Sequence, residues 1–182
     1  MLIVKKVVDN NYKSTRKLNL LIVTISIVFF DQLSKILIKN LLFQHQQINI
    51  IGNFLKFTYV ENSGIAFGIN TSDYHIYVTI LTLLAISILI YYRIKLKDEC
   101  HHEKIPLSLI IGGAIGNVID RILVLIPSSG YNGVIDFIDI GFNHYRWYIF
   151  NIADSAITIG VILYFIFQYK YDKKDNAESR DI

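Results

Sequence analysis

The sequence contains a single cysteine, Cys100, only two prolines and ten glycines. One cysteine excludes an intramolecular disulfide and a zinc cluster built from cysteines alone. So little proline and glycine excludes a collagen-like or low-complexity chain. Charged residues are also scarce, at 18% against roughly 25% in an average soluble protein, so the composition is not that of a soluble domain.

Apolar residues dominate instead. They make up 53% of the 182 residues and include 12 tyrosines and 11 phenylalanines, which excludes intrinsic disorder. Four runs are long enough to cross a hydrocarbon core of about 30 Å as helices, which takes roughly 20 residues each. We place these spans at about residues 18–38, 74–92, 105–126 and 148–168. Because too little polar chain remains to cover four such runs in water, we predict an all-α polytopic membrane protein with four transmembrane helices.

The lysines and arginines are unevenly distributed around these runs. Thirteen of the 18 lie before the first run, between the second and third, or after the fourth. By the positive-inside rule, both termini and the short middle loop are then cytoplasmic, and the two long connections face outward. We therefore predict cytoplasmic tails at residues 1–17 and 169–182 around one membrane domain at residues 18–168.

The two outer connections differ in character. The first, about residues 39–73, alternates apolar and polar residues from Leu55 to Tyr59 and contains the turn residues Gly52-Asn53 and Asn62-Ser63-Gly64. This pattern predicts a short sheet on the membrane surface, with a hydrophobic loop packed on the helix ends as the alternative. The second, about residues 127–147, begins with turn residues and ends in aromatic residues of the kind found at membrane interfaces.

Polar and ionisable residues, which are unfavourable inside a membrane, lie near the outer ends of the predicted spans. Because ionisable groups there are costly, each is a candidate functional residue. Several pairs share a helix face through i,i+3 or i,i+4 spacing, such as Asp31 with Lys35 and Asn151 with Asp154. The whole set is Asp31, Lys35, Asn117, Asp120, Arg121, Asp136, Asp139, Asn151 and Asp154.

Simpler explanations exist for these residues. Asp31 and Lys35 would fit an ion pair at the interface, and Asp154 a helix-start carboxylate stabilised by the helix dipole. A small ion- or proton-coupled transporter subunit would also use membrane carboxylates, although it needs polar groups in the inner halves of the spans. An assembly protein would pair through Gly112-x-x-x-Gly116.

Other chemistry has weak support. The sequence has no Gly-x-Ser-x-Gly elbow and no His-Glu-x-x-His motif. The segment Cys100-His101-His102-Glu103 could bind a metal, but adjacent side chains rarely converge on one ion. Basic residues are scattered over three segments as topology signals are, so no nucleic acid partner is expected.

Five segments resemble the conserved blocks of bacterial lipoprotein signal peptidase, the signal peptidase II family. They are DQLSK (31–35), ENSGIAFGI (61–69), GGAIGNVIDRI (112–122), GVIDF (133–137) and FNIADSAITIG (150–160). Five blocks in the family's order on a four-span frame are highly specific. The resemblance covers about residues 18–168, which is nearly the whole chain.

The resemblance implies an intramembrane aspartic endopeptidase with four helices, an extracytoplasmic β-cradle and an extracytoplasmic helix or loop. Its substrate would be a prolipoprotein with a diacylglyceryl-modified lipobox cysteine, cut just before that cysteine in the bacterial cytoplasmic (inner) membrane. The catalytic pair would be Asp136 and Asp154. Support or substrate binding would come from Asp31, Lys35, Asn62, Gly64, Asn117, Asp120, Arg121 and Asn151. No metal or other cofactor is implied, and we expect a monomer whose partners are the precursor and membrane lipid.

Two features depart from the family pattern. Many members have Phe-Pro just before the last block, whereas this chain reads RWYIF at residues 146–150. Asp139 adds a carboxylate that could alter the titration of the site or point away from it. The residues alone would not have selected Asp136 over Asp139 or Asp120.

Overall fold

A computed structural model describes the backbone of residues 2–65, 69–70, 74–96, 101–142 and 144–178, and the side chains of residues 20–63, 74–96, 103–142 and 144–171. Its helices are α1 (Leu2–Leu41), α2 (His75–Lys95), α3 (His101–Val124) and α4 (Ile152–Glu178). Among the described residues, the stretches long and apolar enough to cross a membrane are Leu20–Leu41, His75–Lys95, Glu103–Val124 and Ile152–Tyr171. The predicted four-helix membrane fold is confirmed.

The helix ends differ from the prediction at two places. Helix α1 already begins at Leu2, within the residues predicted as a tail, and no proline or glycine interrupts it before Leu41. Helix α4 begins only at Ile152, after the predicted start of the fourth span. The preceding Phe150 is held in extended conformation by hydrogen bonds between its backbone and that of Ile138.

Helix α3 lies between the other three helices and contacts each of them. A Cβ atom on Gly112 would lie 3.0 Å from Cβ of Ile27, and one on Gly116 would lie 2.6 Å from Oδ2 of Asp31. Both neighbours belong to α1, which therefore packs directly on the Gly-x-x-x-Gly surface. This surface is buried inside the chain, so the assembly interpretation loses the feature on which it rested.

Large apolar side chains cover the outside of the bundle. On α2 only Thr79 and Ile86 are buried, while residues such as Leu81, Leu84 and Ile88 are exposed. A continuous exposed apolar surface is unfavourable in water and is the surface that lipid chains contact in a bilayer.

An antiparallel sheet packs on one end of the bundle. Its strands are β1 (Gln47–Ile51), β2 (Leu55–Asn62), β5 (Val134–Phe142) and β6 (Tyr145–Arg146), in the order β1-β2-β5-β6. Two short strands, β3 (Gly64–Ile65) and β4 (Ile69–Asn70), form a separate pair that includes the predicted site residue Gly64. The sheet predicted in the first connection is confirmed, and the hydrophobic loop is wrong.

The sheet joins the helices through a small apolar core. Ile38 and Leu42 at the end of α1 pack against Tyr59 of β2 and against Ile135 and Phe137 of β5. In the β2–β5 ladder Asn62 lies opposite Val134, and Val60 lies opposite Asp136. This register brings Asn62, at the end of β2, close to Asp136, near the start of β5, and Asp136 contacts Asn151 just before α4.

Candidate active site

Helix α4 begins with a reciprocal cap between two of the predicted site residues. Oδ1 of Asn151 accepts a hydrogen bond from the backbone N of Asp154 at 2.9 Å, and Oδ2 of Asp154 accepts one from the backbone N of Asn151 at 3.2 Å. This is a capping box, which satisfies two backbone donors at a helix start. The structural explanation of Asp154 is therefore correct, although it is not complete, because its Oδ1 has a different partner.

Asp154 and Asp136 are connected through two asparagine side chains. Nδ2 of Asn117 donates to Oδ1 of Asp154 at 2.7 Å, and Nδ2 of Asn151 donates to Oδ1 of Asp136 at 2.7 Å. Asn151 Nδ2 also lies 3.0 Å from Oδ1 of Asn117. Because each carboxylate faces an amide NH₂ group, both accept hydrogen bonds and are held in one orientation.

Asp136 is the more deeply buried member of the pair, with 4% of its surface exposed. Its Oδ2 accepts a hydrogen bond from Nδ2 of Asn62 at 3.0 Å. Burial raises the pKa of Asp136 to about 7, and the negative charge of Asp154 acts in the same direction. The hydrogen bonds from Asn62 and Asn151 and the charge of Lys35 oppose this increase. Asp136 therefore exchanges a proton near neutral pH.

Lys35 lies behind the two asparagines and is fully buried, with 1% of its side chain exposed. Its Nζ atom lies 2.8 Å from Oδ2 of Asp31, 3.0 Å from Oδ2 of Asp120 and 3.0 Å from Oδ1 of Asn117. Three acceptors satisfy its three protons. The predicted interface ion pair between Asp31 and Lys35 is thus a buried network with two carboxylates and an amide.

Asp31 and Asp120 hold the backbone beside the two candidate catalytic residues. Oδ1 of Asp31 accepts a hydrogen bond from the backbone N of Ala153 at 2.9 Å, and Oδ2 of Asp120 accepts one from the backbone N of Ile135 at 3.1 Å. Ala153 precedes Asp154, and Ile135 precedes Asp136. The Lys35 network consequently positions both carboxyl groups through their backbones.

Gln32 belongs to this network, although the sequence did not select it. Its Nε2 atom lies 3.0 Å from Oδ1 of Asp120, 3.0 Å from the carbonyl oxygen of Gly116 and 3.2 Å from Oδ2 of Asp31. The only sequence feature that could have indicated Gln32 is its position next to Asp31. A position on a helix does not show which residues of other helices the side chain contacts. Gln32 links α1 to α3 near the site.

Arg121 lies close enough for its charge to interact with the carboxylates of Asp154, Asp120 and Asp136. Its side chain is half-buried on α3. A fixed positive charge there reduces the repulsion between the two candidate catalytic carboxylates. The structure thus brings Arg121 to the site as predicted, as an electrostatic neighbour.

Asp139 points away from the site. Nε of Arg146 lies 2.6 Å from its Oδ1, and Oγ1 of Thr58 donates to its Oδ2 at 3.0 Å. These contacts join β5 to β6 and β2 on the opposite side of the strand from Asp136. The sequence alone did not distinguish Asp136 from Asp139 and Asp120 as the candidate catalytic residue. In the structure Asp139 binds Arg146 and Asp120 binds Lys35.

The possible metal segment lies mostly outside the described residues. Cys100 and the side chains of His101 and His102 are not described. Glu103 is described, and its Oε2 accepts a hydrogen bond from the hydroxyl of Tyr92 at 2.9 Å. Within the described part of the chain, no group of three or more acidic, histidine or cysteine side chains is arranged to hold a metal ion.

Comparison with known proteins matches this chain to one family. The family model described as Signal peptidase (SPase) II matches residues 23–170. The lipoprotein signal peptidase of Clostridium acetobutylicum is 38% identical over 160 residues, which cover 87% of this chain and 98% of that protein. The corresponding protein of Borreliella afzelii is 36% identical over 169 residues, covering 89% and 96%.

A solved structure supports the same assignment. A bacterial membrane enzyme determined by the in meso method at 2.3 Å resolution superposes with a TM-score of 0.70 and 34% sequence identity, covering 84% of this chain and 88% of that chain. None of these similarities supports a transporter subunit.

With its four apolar helices, the chain is a multi-pass protein of the bacterial inner membrane. The matched span, the relatives and the superposed structure together show that the chain belongs to the signal peptidase II family of peptidases.

Proposed function

We propose that Asp136 and Asp154 form the catalytic pair of this intramembrane aspartic endopeptidase. It removes signal peptides from prolipoproteins, and we expect it to cut just before a cysteine that already carries a diacylglyceryl group. The observation that carries the proposal is the path of hydrogen bonds from Asp136 through Asn151 and Asn117 to Asp154. Two carboxyl groups in one such network can supply both the proton acceptor and the proton donor that acid–base hydrolysis of a peptide uses.

The two carboxyl groups share one proton in the working enzyme. Like charges held near each other in a buried site do not both ionise readily, and the raised pKa of Asp136, at about 7, agrees with this. The ionised carboxylate takes a proton from a water molecule that attacks the scissile carbonyl carbon. The protonated partner donates its proton to the carbonyl oxygen. The first carboxyl group then gives the proton that it took from water to the departing amine, and the partner takes a proton back from the gem-diol as the C–N bond breaks. Either residue can take either role.

The surrounding residues orient this pair and the substrate. Asn62 and Asn151 donate to Asp136, and Asn117 donates to Asp154, so substrate can approach carboxyl groups that are already aligned. We expect Asn62, at the end of β2, and Gly64, in β3, to border the precursor chain. No metal or organic cofactor takes part in this mechanism.

We infer that the sheet and the active site lie at the outer face of the membrane, with both termini in the cytoplasm. The distribution of lysine and arginine supports this orientation. Tyr145, Trp147 and Tyr148 are exposed beside the start of α4, as residues at a lipid headgroup layer are. The lipid chains of the precursor would stay between the helices and the bilayer, and a monomer would suffice for catalysis.

The proposal is tested with the purified full chain, a diacylglyceryl-modified precursor and a gel that separates precursor from product. Asp136→Asn and Asp154→Asn should each reduce the cleavage rate by at least about 10²-fold. Asp139→Asn is the matched control, because this buried aspartate lies in the same strand with other partners. Normal cleavage by either of the first two variants would disprove the catalytic assignment, and loss of cleavage in a folded Asp139→Asn would show that the wrong carboxylate was chosen.

A further inference from the structure

A second set of polar contacts surrounds Glu61, the residue that precedes Asn62 in β2. Its carboxylate accepts hydrogen bonds from Nζ of Lys39 at 3.0 Å, from the backbone N and Nδ2 of Asn132 at 3.0 and 2.8 Å, and from the hydroxyl of Tyr59. Only 4% of the Glu61 side chain is exposed. A buried carboxylate with four donors is a fully satisfied anchor.

The donors come from three parts of the chain. Lys39 lies near the end of α1, Tyr59 lies in β2, and Asn132 lies in the connection that leads from α3 to β5. Lys39 also donates to the carbonyl oxygen of Gly130 at 2.5 Å, and its Nζ lies 3.9 Å from the ring centre of Tyr131. Through these hydrogen bonds, Glu61 and Lys39 hold the connection at residues 130–132 against both α1 and β2.

Residues 130–132 lead directly into β5, the strand that contains Asp136. At the next residue, Gly133, a Cβ atom would lie 2.5 Å from the carbonyl carbon of Asn62, so the two backbones are in close contact there. In the ladder Glu61 lies opposite Ile135, between the Asn62 and Asp136 positions. A shift of the connection would thus change the distance between the Asn62 amide and the Asp136 carboxylate.

We infer that Glu61 is a positioning residue of the peptidase, whose carboxylate holds residues 130–132 against α1 and β2 and so aligns Asn62 with Asp136. This inference rests on the proposed function, since it takes Asp136 as catalytic. Glu61 does not itself contact Asp136, and its effect passes through its neighbour Asn62 and through β5. Its role is distinct from that of the Lys35 network, which acts on the backbone at Ile135 and Ala153.

Glu61 keeps its negative charge over the working range of the enzyme. Burial would raise its pKa, but the hydrogen bonds from Tyr59, Lys39 and Asn132 hold the pKa below its ordinary value. Its titratable neighbours are Lys39 on α1, Tyr59 on β2 and Tyr131 in the connection. A change in the pH dependence of a Glu61 variant near neutral pH therefore reports on Asp136.

Asp136 has its own set of charged neighbours. Asp154 at the start of α4 raises its pKa, Lys35 on α1 lowers it, and Arg121 on α3 interacts with it. Asn62 favours the ionised form of Asp136 through its hydrogen bond. If the alignment of Asn62 is lost, the pKa of Asp136 rises further, and the limb of the pH–rate profile that reports Asp136 moves to higher pH.

The test is Glu61→Gln in the purified full chain with the lipid-modified precursor. Glutamine keeps the size of the side chain but turns an NH₂ group toward one of the donors. We expect kcat to fall about tenfold with KM changed less than about twofold, because a small misalignment affects the reaction more than binding. The pH–rate profile should shift to higher pH, and Glu61→Asp, which keeps the charge, should recover part of kcat.

Two further variants separate positioning from general stability. Lys39→Met removes a partly exposed donor to Glu61 and should change kcat and the pH profile in the same direction but less. Asp139→Asn removes an equally buried carboxylate of the same sheet and should lower the melting temperature without moving the pH profile. If Glu61→Gln does not fold, Lys39→Met carries the test alone.

The outcomes distinguish this inference from the proposed function. Loss of cleavage in Asp136→Asn, together with wild-type kcat and pH profile in Glu61→Gln and Lys39→Met, would overturn the positioning role only. An effect on KM alone would also overturn it, because it would mean that Glu61 contributes to substrate binding. Normal cleavage by Asp136→Asn would overturn the proposed function itself.

Discussion

The carboxylate of Asp31 in α1 accepts a hydrogen bond at 2.9 Å from the backbone N of Ala153, which lies 122 residues later in α4. The same carboxylate binds Lys35, which in turn binds Asp120 and Asn117. The first membrane helix thus holds the start of the last one through a buried charge network. Its polar residues therefore align the candidate active site, although the proposed catalytic residues are Asp136 and Asp154.

Lys35→Met is expected to destabilise the protein by about 3–5 kcal/mol, because it leaves Asp31 and Asp120 as buried carboxylates without their cation. Thermal unfolding of the purified protein in detergent measures this loss. Lys56→Met, at a half-buried lysine of β2 outside this network, is the control and should have little effect. A wild-type melting temperature for Lys35→Met would contradict the role of the network.

Asn151→Ser separates the helix cap from the contact with Asp136. Serine still caps a helix with its hydroxyl oxygen, so the loss of stability should be about 1 kcal/mol smaller than in a variant that also loses the cap. The amide donor to Asp136 is lost, and kcat should fall at least about tenfold. Asn151→Ala loses both functions and should be less stable than the serine variant. Equal kcat for Asn151→Ser and wild type would show that this donor is dispensable.

The pH dependence of stability should depend on Asp136. Its pKa is raised from 3.8 to about 7 by burial and by Asp154, so the folded state binds a proton that the unfolded state releases. This contribution is fully present below about pH 4 and is lost as pH rises through about 7, at about 1.4 kcal/mol for each pKa unit. Unfolding experiments between pH 4 and 8 should show this loss in wild type and not in Asp136→Asn. Parallel curves for the two proteins would contradict the shift.

Much of this architecture could be predicted because membrane spans and short polar blocks are local patterns. The four apolar runs indicate the helices, and the i,i+3 and i,i+4 pairs indicate which polar groups share a face. The roles of individual carboxylates depend on contacts between distant segments. Asp139 is occupied by Arg146 and Thr58 across two strands, a pairing that no local spacing reveals.

Strand β5 is the element that the sequence did not indicate. The segment from Val134 to Phe142 has no alternation of apolar and polar residues, because most of its side chains on both faces are buried. Gln32 and Glu61 were missed for a related reason. A single polar residue beside a recognised block has no periodicity, and only the fold shows which donors or acceptors surround it.

The path that joins the two candidate catalytic aspartates consists of amide groups, which do not release or take up protons in the pH range of proteins. Asn151 and Asn117 can therefore hold Asp136 and Asp154 in place without conducting a proton between them. Any exchange of the shared proton must follow another route, and the attacking water and the peptide bond under attack can supply one. In that arrangement the two acids influence each other through their charges, while a proton passes between them by way of the water or the substrate.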